Sequence, residues 1–465
     1  MTFTSILFGS CLIISWIYAI AFLALLLENR RFWSVHRKKP APKLSVYPRT
    51  CIIIPCKGLE HNLGENLAGF MLQDHPNYEV IFVVESGRDP AVPVIRKLIG
   101  QNPTVTSKMV VAGIAETCGQ KVHNLRAATK EYSKEVDILV FADSDAAPNN
   151  TWLRWLTQCI GRERLGARTG YRWMVPRDNS LATLLGVTIN NILASMLGKG
   201  NFYLAWGGSW AVHRRVFEEV GVRQAWSGSL SDDLVASRAL RLSKLNIGFE
   251  PQCICNSPVK FTPASLFEFL RRQFLIARRY TPLYLYAGLL LTLAVQIGFW
   301  GGLIVGAIKC VAGDSTGYLL LGSSGLLYAM GVVRSALRQT MGRGHNPEWR
   351  LQKKARKFDL FCGPFTGVIT LGIMLASLVG NRITWRGIHY HIGPSGRIQT
   401  IARTMQIDNW GIDKPQPNAS DAKHLPDREV FESNTYLKQV KKFEPRPPAQ
   451  ETLKLDDPTD TRSAA

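Results

Sequence analysis

The sequence predicts an α/β, Rossmann-like nucleotide-binding domain held between transmembrane helices. Three observations lead there. Long uncharged apolar runs flank a soluble stretch, β-branched runs alternate with amphipathic segments inside it, and one of those runs closes on a carboxylate pair, Asp143 and Asp145.

The flanks come first. Residues 3–27 carry no charge and are long enough to cross a hydrocarbon core of roughly 30 Å. The basic run ENRRFWSVHRKK from Glu28 follows on the C-terminal side alone, the reverse of a cleaved signal peptide. An anchor whose C-terminal end is cytoplasmic is expected. Further apolar segments fall at about 283–308, 318–333 and 358–379, the last interrupted by Gly363-Pro364, so that it reads as a span or as a re-entrant helix. Between the last two lie Arg334, Arg338, Arg343, Arg350, Lys353, Lys354, Arg356 and Lys357, a loop expected in the cytoplasm. The chain then divides into an anchor and basic flank (1–48), a catalytic domain (49–280), a C-terminal membrane region of two or three spans (281–403) and a polar, Pro-rich tail expected to be disordered (404–465).

Charge points the same way. In 465 residues, 56 Lys and Arg against 35 Asp and Glu leave a net charge of +21. Most of that excess sits beside the apolar runs, which places it at a bilayer surface and sets nucleic-acid binding aside. Nine scattered cysteines form no framework and read as buried thiols.

Within the soluble stretch, CIIIP at 51–55, EVIFVV at 79–84 and VDILVFA at 136–142 read as strands, with helices at 94–99 and 122–132 between them. Parallel order gathers the strands' carboxyl ends, where ligands bind. Those ends carry Pro55 and Lys57, then Glu85, then Asp143-Ser144-Asp145. Two carboxylates one residue apart at a strand end suit Mg²⁺ or Mn²⁺ bridging diphosphate oxygens. Lys121, where GQKVHNL opens a helix, adds its charge to free amides that favour phosphate. Asp232 and Asp233 precede LVASRALRL, where they can cap a helix and also serve a site. The apolar stretch at 181–206 reads either as a core helix or as an interfacial helix that admits a lipid. The turn Trp206-Gly-Gly-Ser-Trp210 after it suits a sugar pocket.

IIIPCKG at 52–58, Asp89-Pro90, KVHNL at 121–125, ADSDA at 142–146, SDDL at 231–234 and WRGIHY at 385–390 together resemble the GT-A nucleotide-sugar transferases of glycosyltransferase family 2, and more closely their ceramide glucosyltransferase branch. The resemblance covers roughly residues 6–390. It implies a membrane-bound, metal-dependent, inverting enzyme that moves a sugar, glucose by this resemblance, from a UDP-sugar donor to a ceramide-like lipid acceptor at the cytoplasmic face. Residue by residue it implies that Asp89, with Glu85 as the competing candidate, helps hold the nucleotide. Asp143 and Asp145 hold metal and diphosphate, and Asp233, with Asp232 beside it, is the catalytic base. The family pattern also expects Q/R-x-x-R-W. The corresponding stretch at 267–280 has no tryptophan in place, and either Arg271, Arg272 and Gln273 or Arg278 and Arg279 serve the diphosphate or sugar, against the alternative of a basic collar at the headgroups. A processive polysaccharide synthase, a polyprenyl-phosphate glycosyltransferase and, from another class, a non-catalytic membrane scaffold are the competing readings.

Overall fold

The computed structural model describes residues 3–403 apart from 44–45, 61, 159, 161–163, 201–202 and 345–348. The tail expected at 404–465 lies outside the described residues. The chain opens with one helix, α1 (Phe3–Lys38). At 36 residues it reaches about 54 Å, well beyond a hydrocarbon core. Its surplus length docks on the soluble domain, where Trp33 Nε1 donates to the Leu197 carbonyl at 2.8 Å and Asn29 Nδ2 to that of Ser195 at 3.0 Å.

A seven-stranded sheet follows. Its first half is built by β1 (Thr50–Pro55), α2 (Leu63–Met71), β2 (Tyr78–Val84), α3 (Ala91–Gln101), β3 (Thr106–Val111), α4 (Gln120–Ala128) and β4 (Ile138–Ala142). Its second half is α5 (Trp152–Thr157), β5 (Leu165–Pro176), α6 (Leu181–Ser195), β6 (Ser209–His213), α7 (Arg214–Glu219), α8 (Val222–Ala225), α9 (Asp232–Leu242) and β7 (Asn246–Val259). The strand order is β3-β2-β1-β4-β6-β5-β7. The first four are mutually parallel, β6 runs antiparallel to β4 and β5, and β5 and β7 are parallel. β1, β2 and β4 are buried on both faces, which is why they read as unbroken β-branched runs. β3 was not among the strands read from the sequence: it is an edge strand with a partly exposed alternating face, and TSKMVV lacks the apolar run of its neighbours.

The remaining elements are α10 (Pro263–Tyr280), α11 (Pro282–Val311), α12 (Thr316–Gly342), α13 (Lys353–Phe361), α14 (Gly363–Ala376) and a three-stranded antiparallel sheet, β8 (Arg382–Trp385), β9 (Ile388–Ile392) and β10 (Ile398–Arg403). Among the described residues, three helices, Ile6–Lys38, Pro282–Val311 and Thr316–Gly342, are long and apolar enough to cross a membrane. They pack closely at small residues. A Cβ added at Gly298 would lie 2.2 Å from Ser15 Oγ on α1, and one at Gly302 would lie 2.3 Å from Ser324 Oγ on α12. Such residues let helices approach where no hydrophobic effect drives them together.

α13 and α14 meet at 79°, at the Gly363-Pro364 interruption. α14 spans about 21 Å, short of a hydrocarbon core. Both ends of the bent pair are tied to the soluble domain. Before it, Gly342 closes on the Trp173 ring, where an added Cβ would lie 2.2 Å away. After it, Ile383, Ile388, Tyr390, Ile392 and Ile398 form a core with Leu230 and Leu275. Of the two readings, a span or a re-entrant helix, these ties favour the re-entrant one, and residues 382–403 form a strap on the soluble domain. Labelling by an impermeant thiol reagent tests this. Ser315→Cys is expected to label, above the wild-type background, from the membrane face opposite that of Ser395→Cys; labelling of both from one face would contradict it.

The apolar stretch at 181–206 forms α6, which is largely buried, with Ala182, Leu185 and Ile189 packed against Leu266 and Leu270 of α10 and Ile373 of α14. The eight cysteines among the described residues are free.

Candidate active site

The site forms where α4, β4, the turn before β6 and the start of α9 meet. Gly119 makes that meeting possible. Its N–H donates to the Ser229 carbonyl at 2.8 Å, and a Cβ there would lie 2.9 Å from Leu230 Cδ1. The N-terminus of α4 therefore docks directly on the loop into α9, bringing Lys121 to the acidic residues.

Lys121 Nζ lies 2.8 Å from Asp143 Oδ1, 3.1 Å from Asp232 Oδ1 and 3.4 Å from the Gly207 carbonyl. Gly207 N–H in turn donates to Asp233 Oδ2 at 3.0 Å. A Cβ at Gly207 would stand 2.6 Å from Lys121 Nζ, 3.1 Å from Asp232 Oδ2 and 3.3 Å from Asp233 Oδ2. A bare backbone at this position is what lets three charged groups converge. Asp233 also accepts at Oδ1 from the Ser231 hydroxyl at 2.6 Å and from Leu234 N–H at 2.7 Å. Ser231 is the N-cap, the two aspartates lie in the first turn of α9, and that turn fixes the Asp233 carboxylate.

The two carboxylates differ. Asp233 is half-buried, whereas Asp232 is 3% exposed and its Oδ2 has no hydrogen-bond partner. Burial pushes the Asp232 carboxyl up to about 7; Lys121 pulls it down, while Asp233 and Asp143 add to the rise. Burial works to lower the Lys121 pKa, but Asp143, Asp232 and Asp233 outweigh it and hold that pKa raised. Asp145 is raised by burial and by Asp143, against Arg172 and Lys121.

The sign of the Asp232 shift gives a stability test. A carboxyl whose folded pKa lies above its unfolded value favours folding most below the unfolded value, and that contribution fades as pH rises from about 4 to about 7. In EDTA, the melting temperature of Asp232→Asn minus that of wild type is expected to become more positive by roughly 5 °C across this window. A flat difference would contradict the shift.

Asp143-Ser144-Asp145 follows β4 directly, and Ser144 Oγ donates to Glu60 Oε2 at 3.0 Å. Two partly buried carboxylates, with an unpartnered buried oxygen on Asp232 nearby, are hard oxygen donors of the kind Mg²⁺ or Mn²⁺ takes. Among the described residues no group of three or more His, Cys, Asp or Glu side chains gathers as a metal site. Such ions commonly take one or two carboxylates and complete their shell with phosphate and water.

At the adjoining strand ends, Pro55 closes β1, and Lys57 pairs with Glu85 just past β2. Arg403 of the strap reaches Glu85 Oε2 at 3.2 Å, and Arg386 binds the Lys57 carbonyl at 2.5 Å and pairs with Glu60. Asp89 is buried and accepts at Oδ1 from Gly58 N–H at 2.8 Å and Ala91 N–H at 2.9 Å, holding the β1 loop to the start of α3.

The α10 residues divide. Arg271 donates to the carbonyls of Ala376 and Val379, at 3.3 and 2.7 Å, and Arg278 donates to those of Leu378 and Gly380 and to Asn381 Oδ1 at 2.8 Å. Arg279 binds Asn381 as well. These three clamp the end of α14, whose last carbonyls lack helix partners. Gln273 is exposed. Arg272 instead packs over Phe269 and Trp385, 5.5 and 5.4 Å from the ring centroids. Arg172 of β5 lies over Phe269 at 5.2 Å and Trp206 at 6.0 Å, and its charge acts on Asp145. Arg172 stood out in no feature of the sequence, because nothing in a strand interior distinguishes an arginine that faces a site. Nor did the strap arginines stand out, although WRGIHY contains one of them.

Residues 14–398 match the family described as glycosyl transferase family 21. The chain belongs to this family. It is a glycosyltransferase, as the motifs at the strand ends suggested. Ceramide glucosyltransferase 1 of Caenorhabditis elegans is 22% identical over 414 residues, covering 87% of this chain and 84% of that one. A ceramide glucosyltransferase of Gibberella zeae is 32% identical over 115 residues, 22% of each chain. Among solved structures, the mannosyltransferase PcManGT from Pyrobaculum calidifontis, in complex with GDP-Man and Mn²⁺, aligns over 79% of this chain and 97% of that one, with 16% identity and a TM-score of 0.41. In this glycosyltransferase, the segments of the resemblance at 121–125, 142–146 and 231–234 carry the convergent residues.

Proposed function

We propose that this glycosyltransferase moves glucose from UDP-glucose to a ceramide-like lipid, with inversion, at the cytoplasmic face of the membrane. The observation that carries the reading is the convergence of Lys121, Asp232 and Asp233 on Gly207, with Lys121 also paired to Asp143, at the carboxyl ends of strands anchored beside three apolar helices. The sugar and the ceramide-like acceptor are supported by the relatives' names and by the resemblance of the motifs to the ceramide glucosyltransferase branch. The cytoplasmic face is supported by the basic flanks of α1 and α12.

In this reading the donor's nucleotide lies over the ends of β1 and β2, near Pro55, Lys57, Glu85 and Asp89. Asp143 and Asp145 would hold a divalent ion, whose chemistry would be to neutralise the charge developing on the leaving group. Asp233 is the base. It is the more exposed carboxylate of its pair, and Oδ2 accepts the acceptor hydroxyl's proton as that oxygen attacks the anomeric carbon. Asp232, buried against Lys121, positions the ammonium. Arg172 and Arg272, with Trp206, Phe269 and Trp385, line the side toward α10 and α14, where a lipid enters.

Donor identity is tested by competition for binding to the purified full-length protein with Mn²⁺. UDP-glucose is expected to compete best among UDP-glucose, UDP-galactose, UDP-N-acetylglucosamine and GDP-mannose. Stronger competition by GDP-mannose would overturn the donor assignment.

A further inference from the structure

We propose that Lys121 is a resident counter-cation, parked on the metal-binding carboxylate until the donor arrives, so that divalent ion and nucleotide bind together and the ion does not bind first. This rests on the reading of the pocket as a metal-dependent nucleotide-sugar site.

The ammonium has three protons and three acceptors: Asp143 Oδ1 at 2.8 Å, Asp232 Oδ1 at 3.1 Å and the Gly207 carbonyl at 3.4 Å. Its side chain is 13% exposed, so this is an enclosed pairing and not a screened surface one. Gly119 pins the start of α4 against Leu230 on one side, and the Gly207 backbone closes the other side at a distance that excludes even a methyl group. A divalent cation approaching Asp143 therefore meets a positive charge already in contact with the same carboxylate. Repulsion between like charges a few ångströms apart in a partly buried site is large compared with thermal energy.

A diphosphate reverses the balance. It brings its own negative charge to the N-terminus of α4, where Lys121 is the second helical residue, and an ammenable tether of four methylenes lets the ammonium turn from carboxylate to phosphate. The vacated Asp143 is then free for the ion. Asp232 is the residue to which the lysine stays attached while Asp143 is released. Among the described residues no other cation pairs with it, and its second oxygen is buried without a partner. Asp232 and Lys121 are in this sense positioning residues for metal loading, distinct from the base at Asp233.

The test is Mn²⁺ binding, read from the electron paramagnetic resonance signal of free aqueous Mn²⁺, on purified full-length protein in lipid nanodiscs. Wild type without UDP is expected to bind Mn²⁺ weakly, and at least about tenfold more tightly with UDP. Because UDP oxygens themselves add ligands, the deciding comparison is made without nucleotide. Lys121→Met is expected to bind Mn²⁺ at least about tenfold more tightly than wild type, and Lys121→Arg like wild type. Gly207→Ala, whose methyl would press on Nζ from 2.6 Å, is expected to shift affinity in the same direction as Lys121→Met and by less. If wild type binds Mn²⁺ with UDP while neither Lys121→Met nor Gly207→Ala gains affinity without it, the parked-cation proposal is overturned and the metal-dependent donor site stands. If no protein binds Mn²⁺ even with UDP, the donor-site reading fails and the proposal falls with it.

Discussion

Asp233→Asn is expected to lower transfer by at least about 10²- to 10⁴-fold while leaving Mn²⁺-dependent UDP affinity within a few-fold of wild type. The asymmetry follows from position. Asp233 touches neither Lys121 nor Asp143; its contacts are Gly207 N–H at Oδ2 and the Ser231 hydroxyl and Leu234 N–H at Oδ1. The carboxamide keeps the shape but has one oxygen where the carboxylate had two. Either Gly207 N–H or Leu234 N–H then faces an amide NH₂, a loss of about 1–3 kcal/mol for a buried donor left unsatisfied. A melting temperature lowered by a few degrees should accompany the lost turnover, and UDP titration separates the two effects. Wild-type turnover in this variant would remove Asp233 from the base role. Loss of UDP binding together with turnover would make it a structural residue of the donor pocket.

Asp145→Asn should act at the other end of the site. Its expected effect is a loss of at least about tenfold in Mn²⁺-dependent UDP affinity, with little change in the weak binding measured in EDTA. Burial and the neighbouring Asp143 raise the Asp145 carboxyl while Arg172 and Lys121 pull it down, so its removal also takes a negative charge away from Arg172. UDP titrations with Mn²⁺ and with EDTA check the split. Equal losses under both conditions would mean that Asp145 acts on the nucleotide or on the fold and not through the ion.

Much of this was legible in the sequence, for a physical reason. Strands buried on both faces must be apolar throughout, so ILVFA at 138–142 stands out, and two aspartates directly after it stand out equally. Gly363-Pro364 marked the bend between α13 and α14 because proline cannot continue the preceding helix's hydrogen bonding. What was not legible is tertiary. The contact of Lys121 with Asp232 joins residues 111 positions apart through the approach of Gly119 to Leu230, and no local periodicity encodes it. Gly207 lies inside the turn that suits a sugar pocket, and its bare backbone also makes room for Lys121. Arg271 and Arg278 were site candidates only through the resemblance to a Q/R-x-x-R-W element, with a basic collar as the alternative; in the structure both bind the end of α14. The strap at 382–403 follows an apolar segment directly and looks like part of the membrane region until its isoleucines are seen packed on Leu230 and Leu275.

The most direct measurement is a transfer assay on purified full-length protein in mixed lipid containing ceramide, with radiolabelled UDP-glucose, with Mn²⁺ or Mg²⁺ or with EDTA, followed by separation of lipid-soluble products. The expected result is a labelled glycolipid that forms with the divalent ion and disappears in EDTA. A lipid-free polymer, or no product with active-site residues intact and nucleotide bound, would contradict the account.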